Sequence, residues 1–508
     1  MNRSQTSYRV VRAIRGCVLF VLSVAIGIPA PGQQPITGSF QPYVAGDQAS
    51  NPQQVRQELE SLRGLYRQRL HELDDQMQRF GFEPAAHQSD YTDVSHSTDL
   101  FPTHGRTVTA SKKSYLSDGF FADGLQVTLG GGGSMKIYGY ARGDLIYADS
   151  QLSNTVIPFF AVSEDPTNTV GPNSVPVPNN DEQFNVNVRL TRLGLDFSDM
   201  RSACLNDADL SAKIEIDFET LIAIASESRA VPRIRHAYGQ MRWDEFSILF
   251  GQTHDVISPL NPTINDDTLM WQAGNLGDRR PMVRLKWDRD LGAGQRWVVA
   301  GAISSGGAID RDDFDGNGIK DGEDSGIPAV QGRVGRDCRS WVAGRTVGLG
   351  AWGLVSFETI DVPIMGNDDF TGWGIGIDWS VPLLRAVTWR GEAWHGQNLN
   401  DWRGGSGQGV NTTTGREIES SGGWTELQIA PSEFYTLALG MTGDNPVDSD
   451  LIGNATTRTL NWTWYVGNRL NLGGGLSLHV NAEFWNTEYL TLSGGDATRL
   501  KTVLIQRF

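Results

Sequence analysis

The run Asp313-Phe314-Asp315-Gly316-Asn317-Gly318-Ile319-Lys320-Asp321-Gly322-Glu323-Asp324 sets oxygen-bearing residues at the spacing of a twelve-residue calcium loop. Oxygens of Asp313, Asp315 and Asn317 fill the first three ligand positions, Gly318 allows the sharp turn, and the Ile319 carbonyl comes next. Asp321 follows, binding directly or through water. Asp324 stands where such loops place Glu, and its shorter reach argues against bidentate, tight binding. The chemistry expected is structural, the ordering of a loop by Ca2+, because nothing beside the motif suggests catalysis. The rival reading is a merely acidic, solvated loop. A nucleophile and base can be sought in Ser258 and His254, but no third residue or motif supports the pair, and no enzyme is expected.

A second set of charges recurs at alternate positions of extended segments. In Leu476 to Glu483, Leu476, Leu478, Val480 and Ala482 fall on one face and Ser477, His479, Asn481 and Glu483 on the other. Repeated over segments of about ten residues, this is how a barrel with lipid outside and water inside is written. The same alternation assigns to the lumen Lys136, Arg142 and Asp144, then Arg189, then Lys213, Glu215 and Asp217. Further round it assigns Arg284 and Lys286, Gln331 and Arg333, and Arg390 and Glu392. The phase changes near Arg192, where a bulge could reverse the facing, so Arg192, Arg233, Arg235 and His236 are weaker assignments. Fixed cations along such a path attract small anions, and opposing acids set a transverse field.

The elements that position these charges are all-β. Sixteen strands are expected between residues 134 and 508, an even count that a closed antiparallel transmembrane barrel requires. The upward strands are read near 135–148, 210–225, 246–253, 296–304, 346–359, 386–396, 434–443 and 476–489. The downward ones are read near 184–198, 231–243, 281–289, 327–336, 370–380, 418–430, 457–469 and 497–508. Short connections such as Asp244-Glu245 alternate with long ones such as Thr253 to Arg280. Trp243, Phe246, Trp287, Trp297, Trp379, Trp389 and Phe434 gather beside the short turns, as an interfacial girdle would. The connection Thr253 to Arg280, with Asp266, Asp267, Arg279 and Arg280, either folds inward to narrow the lumen or stays exposed.

Upstream, Arg3, Arg9, Arg12 and Arg15 precede the apolar stretch Cys17 to Ile28, too short to span a bilayer, so residues 1–32 read as a secretory signal. Its removal takes away four arginines and no acid, moving the formal charge from -16 to -20, which argues against nucleic acid as a partner. A polar lead-in covers 33–51. Val55, Leu59, Leu62, Tyr66, Leu70, Leu73, Met77 and Phe80 then recur at helix-face spacing, predicting an α-helical coiled coil over 52–80, or else a helix packed on the barrel. Residues 81–133 read as a tether, with Phe120 to Leu125 either a short plug strand or ordered tether. Cys204 and Cys338 are expected in short periplasmic turns as separate thiols.

Five runs carry a resemblance: Lys136-Ile137-Tyr138-Gly139-Tyr140, Leu190-Thr191-Arg192-Leu193-Gly194-Leu195, Lys213-Ile214-Glu215-Ile216-Asp217-Phe218, Arg233-Ile234-Arg235-His236-Ala237-Tyr238-Gly239 and Leu249-Phe250-Gly251-Gln252-Thr253. They are similar to runs in the DcaP-like porins, with phosphate-type porins the nearest alternative. That resemblance implies a trimeric outer-membrane barrel with a periplasmic coiled coil, passing small polar, often anionic, solutes by diffusion. The chain departs from outer-membrane barrels at Gln506, where an apolar residue is usual. The calcium motif resembles thrombospondin type 3 repeats more than a helix-flanked hand. The rival function is envelope tethering through the coil and linker, with peptidoglycan as partner and a plugged or gated barrel.

Overall fold

The computed structural model describes residues 124–508 apart from 130–131, 166, 168, 171–174, 177–181, 220–229, 265–268 and 454–456. The signal, the lead-in, the coiled coil and most of the tether, like Asp266 and Asp267, lie outside the described residues.

The alternation of apolar and polar residues becomes a closed antiparallel barrel of sixteen strands. They are β1 (Ser134–Ala148), β2 (in two pieces, Gln183–Asn187 and Arg192–Ser202), β3 (Ala208–Asp217), β4 (Arg233–Trp243), β5 (Phe246–His254), β6 (Arg279–Gly292), β7 (Gln295–Ser304) and β8 (Ala329–Arg339). There follow β9 (Thr346–Ile364), β10 (Asn367–Leu384), β11 (Val387–Gln397), β12 (Glu419–Ile429), β13 (Tyr435–Pro446), β14 (Arg458–Gly473), β15 (Leu476–Tyr489) and β16 (Gly495–Arg507). Closure is made by β16 on the upper part of β1, from Tyr140 opposite Arg507 to Ala148 opposite Arg499. Phe508 completes it, exchanging both backbone hydrogen bonds with Gly139 at 3.1 Å.

The lower part of the same edge of β1 is taken by a four-residue strand, Leu125–Thr128, paired from Leu125 opposite Ile137 to Thr128 opposite Ser134. This strand therefore extends the line of β16 and belongs to the wall. It is not a plug.

Burial follows the pleat. On β15, Ser477, His479, Asn481, Glu483 and Thr487 are buried, and on β16 Arg499 and Lys501, while Leu500 and Leu504 are exposed. Leu145, Phe250, Leu285, Ile303, Val334, Ile375, Leu427 and Met441 are likewise exposed on the outward face, an apolar belt of the kind lipid covers. Phe246, Trp389 and Phe434 flank it beside short turns and are exposed as well.

The apolar core sits inside the barrel, beneath inward-folded loops. Ile264, Met270 and Ala273 of the β5–β6 connection pack with Ala438, Tyr465 and Trp485 of the wall. Ile257 and Leu276 pack with Trp352, Trp394 and Trp402. Cys204 lies in the β2–β3 turn and Cys338 within β8, one position before its end, and both are free thiols.

Candidate functional site: the charged lumen and its constriction loop

Of its two possible courses, the described parts of the connection, 255–264 and 269–278, take the inward one, and wall residues hold them there. Val256 N–H donates to Gln331 Oε1 at 2.7 Å, Leu260 N–H to Glu392 Oε1 at 2.7 Å, and Thr263 N–H to Glu426 Oε2 at 2.6 Å. Ser258 Oγ also donates to Glu392, and Thr263 Oγ1 to Glu426. Farther on, Trp394 Nε1 donates to the Gly274 carbonyl at 2.7 Å and Asn461 Nδ2 to the Gln272 carbonyl at 2.6 Å. At Gly274, with φ +123°, a Cβ would lie 2.3 Å from the Gly423 carbonyl oxygen. Only glycine lets the loop backbone lie directly on the wall at that point.

Across the lumen, β1 to β4 carry a ladder of ion pairs. Arg142 makes a two-pronged contact with Asp144 at 2.6 and 2.7 Å, and Lys501 of β16 reaches the same carboxylate at 3.3 Å. Glu215 lies 3.4 Å from Arg192 and 3.0 Å from Arg235. Asp217 is shared between Arg233 at 2.7 Å and Arg235 at 2.8 Å. Arg189, in the break of β2, lies 3.3 Å from Glu219.

The weakly assigned residues are placed by a bulge in β4. Glu215 faces His236 while Ile216 faces Ile234, so Arg235 is the extra residue. Two consecutive side chains thereby turn inward. Arg235 binds Glu215 and Asp217 of β3, and His236 Nδ1 lies 3.1 Å from Thr253 Oγ1. Ile234, by contrast, is 54% exposed on the outer face.

The remaining lumen candidates divide into three groups. Lys213 lies 3.8 Å from Asp196 and Lys286 2.7 Å from Asp288, towards the short-turn end, where Lys136 is exposed. Arg284 is buried in the inward phase of β6, and Arg333 of β8 is paired with Asp378 at 2.7 Å. Arg390 and Glu392 serve the constriction loop: Arg390 Nη1 donates to Thr263 Oγ1 at 3.1 Å, and Glu392 is 1% exposed beneath Ser258 and Leu260. Ser258 is thus committed to Glu392, while the His254 ring meets that of His236 edge-on at 5.1 Å.

In the calcium motif, carboxylate oxygens of Asp313, Asp315 and Asp321 lie within 4.8 Å of one another, and so do those of Asp315, Asp324 and Asp361. Gly318, at φ +91°, brings its N–H to Asp313 Oδ2 at 3.1 Å. Asn317 Nδ2 donates to Asp324 and to Asp361 at 3.2 Å each. Asp361 was not evident from the motif. It comes from β9, which with β10 climbs past the rim as strands of 19 and 18 residues. Burial and the carboxylates of Asp312, Asp315 and Asp313 push Asp321 up to about 6.

With this geometry in view, the barrel can be set against known folds. It resembles the outer-membrane channel DcaP of Acinetobacter baumannii. The TM-score is 0.59 over 75% of this chain and 99% of that one, at 19% identity. The anion-selective porin from Comamonas acidovorans (TM-score 0.45, 12% identity, 74% and 100% covered) and Salmonella typhi OmpF in complex with daunomycin (0.49, 11%, 76% and 100%) align more loosely. No family model and no curated sequence matches the chain. At that identity the likeness is one of fold, a closed outer-membrane barrel.

Proposed function

We propose that the chain forms a bacterial outer-membrane channel for passive diffusion of small polar solutes, with a preference for anions. The observation that carries the sign is the depth of each partner in the lumen ion pairs. For Arg192, Arg233, Arg333, Arg390 and Arg403 the side chain is 12–27% exposed, whereas that of the paired acid is 0–7% exposed. Water in the lumen therefore meets the positive side of these pairs, although the chain as a whole is acidic. At the short-turn end the order reverses, with Asp196 and Asp288 more exposed than Lys213 and Lys286. The constriction loop narrows the path against the arginine side and sets the size limit.

The assembly proposed is a homotrimer in the outer membrane, with the coil of 52–80 in the periplasm. This part of the reading rests on the sequence pattern and its resemblance. The loop 313–324 takes one Ca2+ as a structural ion, held by Asp313, Asp315, Asn317, Asp321 and Asp324, with the Ile319 carbonyl and Asp361 completing an oxygen set. Asp313 Oδ1, buried and without a hydrogen-bond partner, supports this. The ion would fasten the loop to the raised β9–β10 hairpin. Swelling of proteoliposomes in solutes of increasing size tests the channel. Entry of small solutes and exclusion of larger ones is expected, and impermeability to all of them would contradict it.

A further inference from the structure

At the short-turn end of the lumen, beside the seam where the barrel closes, two arginines stand without a counter-charge. Arg469 is in the inward phase of β14 with Thr463 and Tyr465, both buried. Arg507 ends β16 in the inward phase of Arg499, Lys501, Val503 and Ile505. Both are half-buried, so each keeps an accessible part. Arg142, Arg233, Arg333 and Arg499 are each held by an acid, namely Asp144, Asp217, Asp378 and Glu483. The side chains of Arg469 and Arg507 have neither a hydrogen bond nor an ion pair among the described residues.

The charge that bears on Arg469 is that of Arg507, and it repels. Tyr140 of β1 lies across from Arg507 in the register and is the ionisable group that bears on it. On β15, the strand between them, His479 faces Arg469 in the register, 8% exposed, with its Nε2 3.2 Å from Ser477 Oγ. Arg469, Arg142 and Arg507 all bear on that ring. Asp144, the acid that bears on the same ring, is already held by Arg142 and Lys501. The terminal residue Phe508 accepts the Gly139 N–H at 3.1 Å and pairs with no described cation.

Like charges held this close oppose each other's ionised state unless an opposite charge joins them, and the fold supplies none here. A guanidinium offers only donors, in a planar fork that meets an oxyanion through two parallel bonds. Two such groups, with the Tyr140 hydroxyl as a further donor, suit an anion of several oxygens and more than one charge better than chloride, which takes no fork. On other strands of the same end, Asp196 and Asp288 are the more exposed partners of their pairs, so the two arginines are a local exception to an acidic mouth.

We propose that Arg469 and Arg507, with Tyr140, form a subsite at the short-turn mouth of the lumen for a small polyvalent oxyanion, of the size and charge of inorganic phosphate. The subsite rests on the reading of the lumen as a path for anions and deepens it. Its occupancy does not require conduction, so an absent subsite and a closed barrel give different results.

The experiment is calorimetric titration of the purified full chain in detergent with inorganic phosphate, at an ionic strength held constant by chloride, beside single-channel recording of the same preparation. Saturable phosphate binding is expected against the excess of chloride. Arg469→Gln should weaken it about tenfold, the worth of one charge-assisted contact, and should not lower the thermal midpoint, because Arg469 has no partner to lose. Arg507 ends the closing strand, so Arg507→Lys, which keeps the charge and loses the fork, is the second variant, and weaker phosphate binding is expected of it too. Arg336→Gln, on the exposed outer face beside Trp297, should leave binding unchanged. No saturable heat, displacement of phosphate by chloride mole for mole, or an Arg469→Gln protein that binds phosphate normally would each overturn the proposal. Equal weakening by Arg336→Gln would do the same, since the effect would then be one of total charge. Conduction without phosphate binding counts against the subsite alone, and phosphate binding without conduction counts against the channel.

Discussion

Arg280 Nη1 lies 2.6 Å from Asp401 Oδ2, joining the foot of β6 to the connection that follows β11. Both residues are buried, Arg280 also reaches Asp255 Oδ1 at 2.9 Å, and its guanidinium stacks 3.6 Å from the Trp402 ring centroid. Asp401 Oδ1 in turn accepts the Ile309 N–H at 2.7 Å. One ion pair thus ties three connections together above the constriction.

Removing Asp401 leaves Arg280 with Asp255 alone and strips the Ile309 N–H of its acceptor, at a cost of about 1–3 kcal/mol for a buried donor left unsatisfied. Asp401→Ala is therefore expected to lower the thermal midpoint and to convert steady single-channel current into flicker with larger maximal conductance. Unchanged conductance and unchanged stability would show that the constriction is held by other contacts alone.

The arginine side should set the sign of permeation. Arg192→Gln together with Arg235→Gln removes two guanidiniums from Glu215 and leaves that acid facing the lumen. The anion-to-cation permeability ratio should fall by roughly twofold or more, because a fixed positive charge is replaced by an unbalanced negative one. Reversal potentials in matched salt gradients read this directly.

Gly274 supplies a steric test of the loop's seat. Gly274→Ala adds a Cβ to a residue at φ +123° and drives it to 2.3 Å from the Gly423 carbonyl oxygen. Strain of about 1–3 kcal/mol is expected from the backbone alone, so the loop should lift locally. Faster hydrogen exchange confined to 270–278 is the measurement, and wild-type protection would contradict the contact.

Calcium binding should weaken in acid. Asp321 has its carboxyl raised to about 6 from an ordinary 3.8, chiefly by burial and then by neighbouring carboxylates. Raised in the folded state, it favours the fold when protonated, and that contribution is lost as pH rises through 6. Without the ion the loop is therefore least stable above pH 6, where Ca2+ should protect it most. Protection of 313–324 by Ca2+ should be large at pH 7.5 and small at pH 5, and Asp321→Asn should flatten the difference.

The wall was legible in the sequence because the pleat writes one face apolar and the other polar, and because turn lengths alternate. The strands fall within about five residues of their expected bounds except at the end of β3, which stops at Asp217, short of 225, with Phe218 and Glu219 already outside the strand. The inward phase of Arg142, Asp144, Lys213, Glu215 and Arg284 could be counted from lipid-facing neighbours. Arg235 could not, since one inserted residue breaks the period of two and only pairing with β3 reveals it. Arg499 and Lys501 follow the same alternation on β16, buried between the exposed Leu500 and Leu504. Asp361 and Asp401 carry no local signal, because each meets its partner through loops folded back from distant strands.

The central claim is an open lumen whose water-facing charge is positive. Single-channel recording of the refolded chain across a salt gradient tests it most directly. Discrete steps, with a reversal potential of the sign set by chloride, are predicted. A reversal potential set by the cation would contradict the charge assignment, and silence from correctly folded protein would contradict the channel itself.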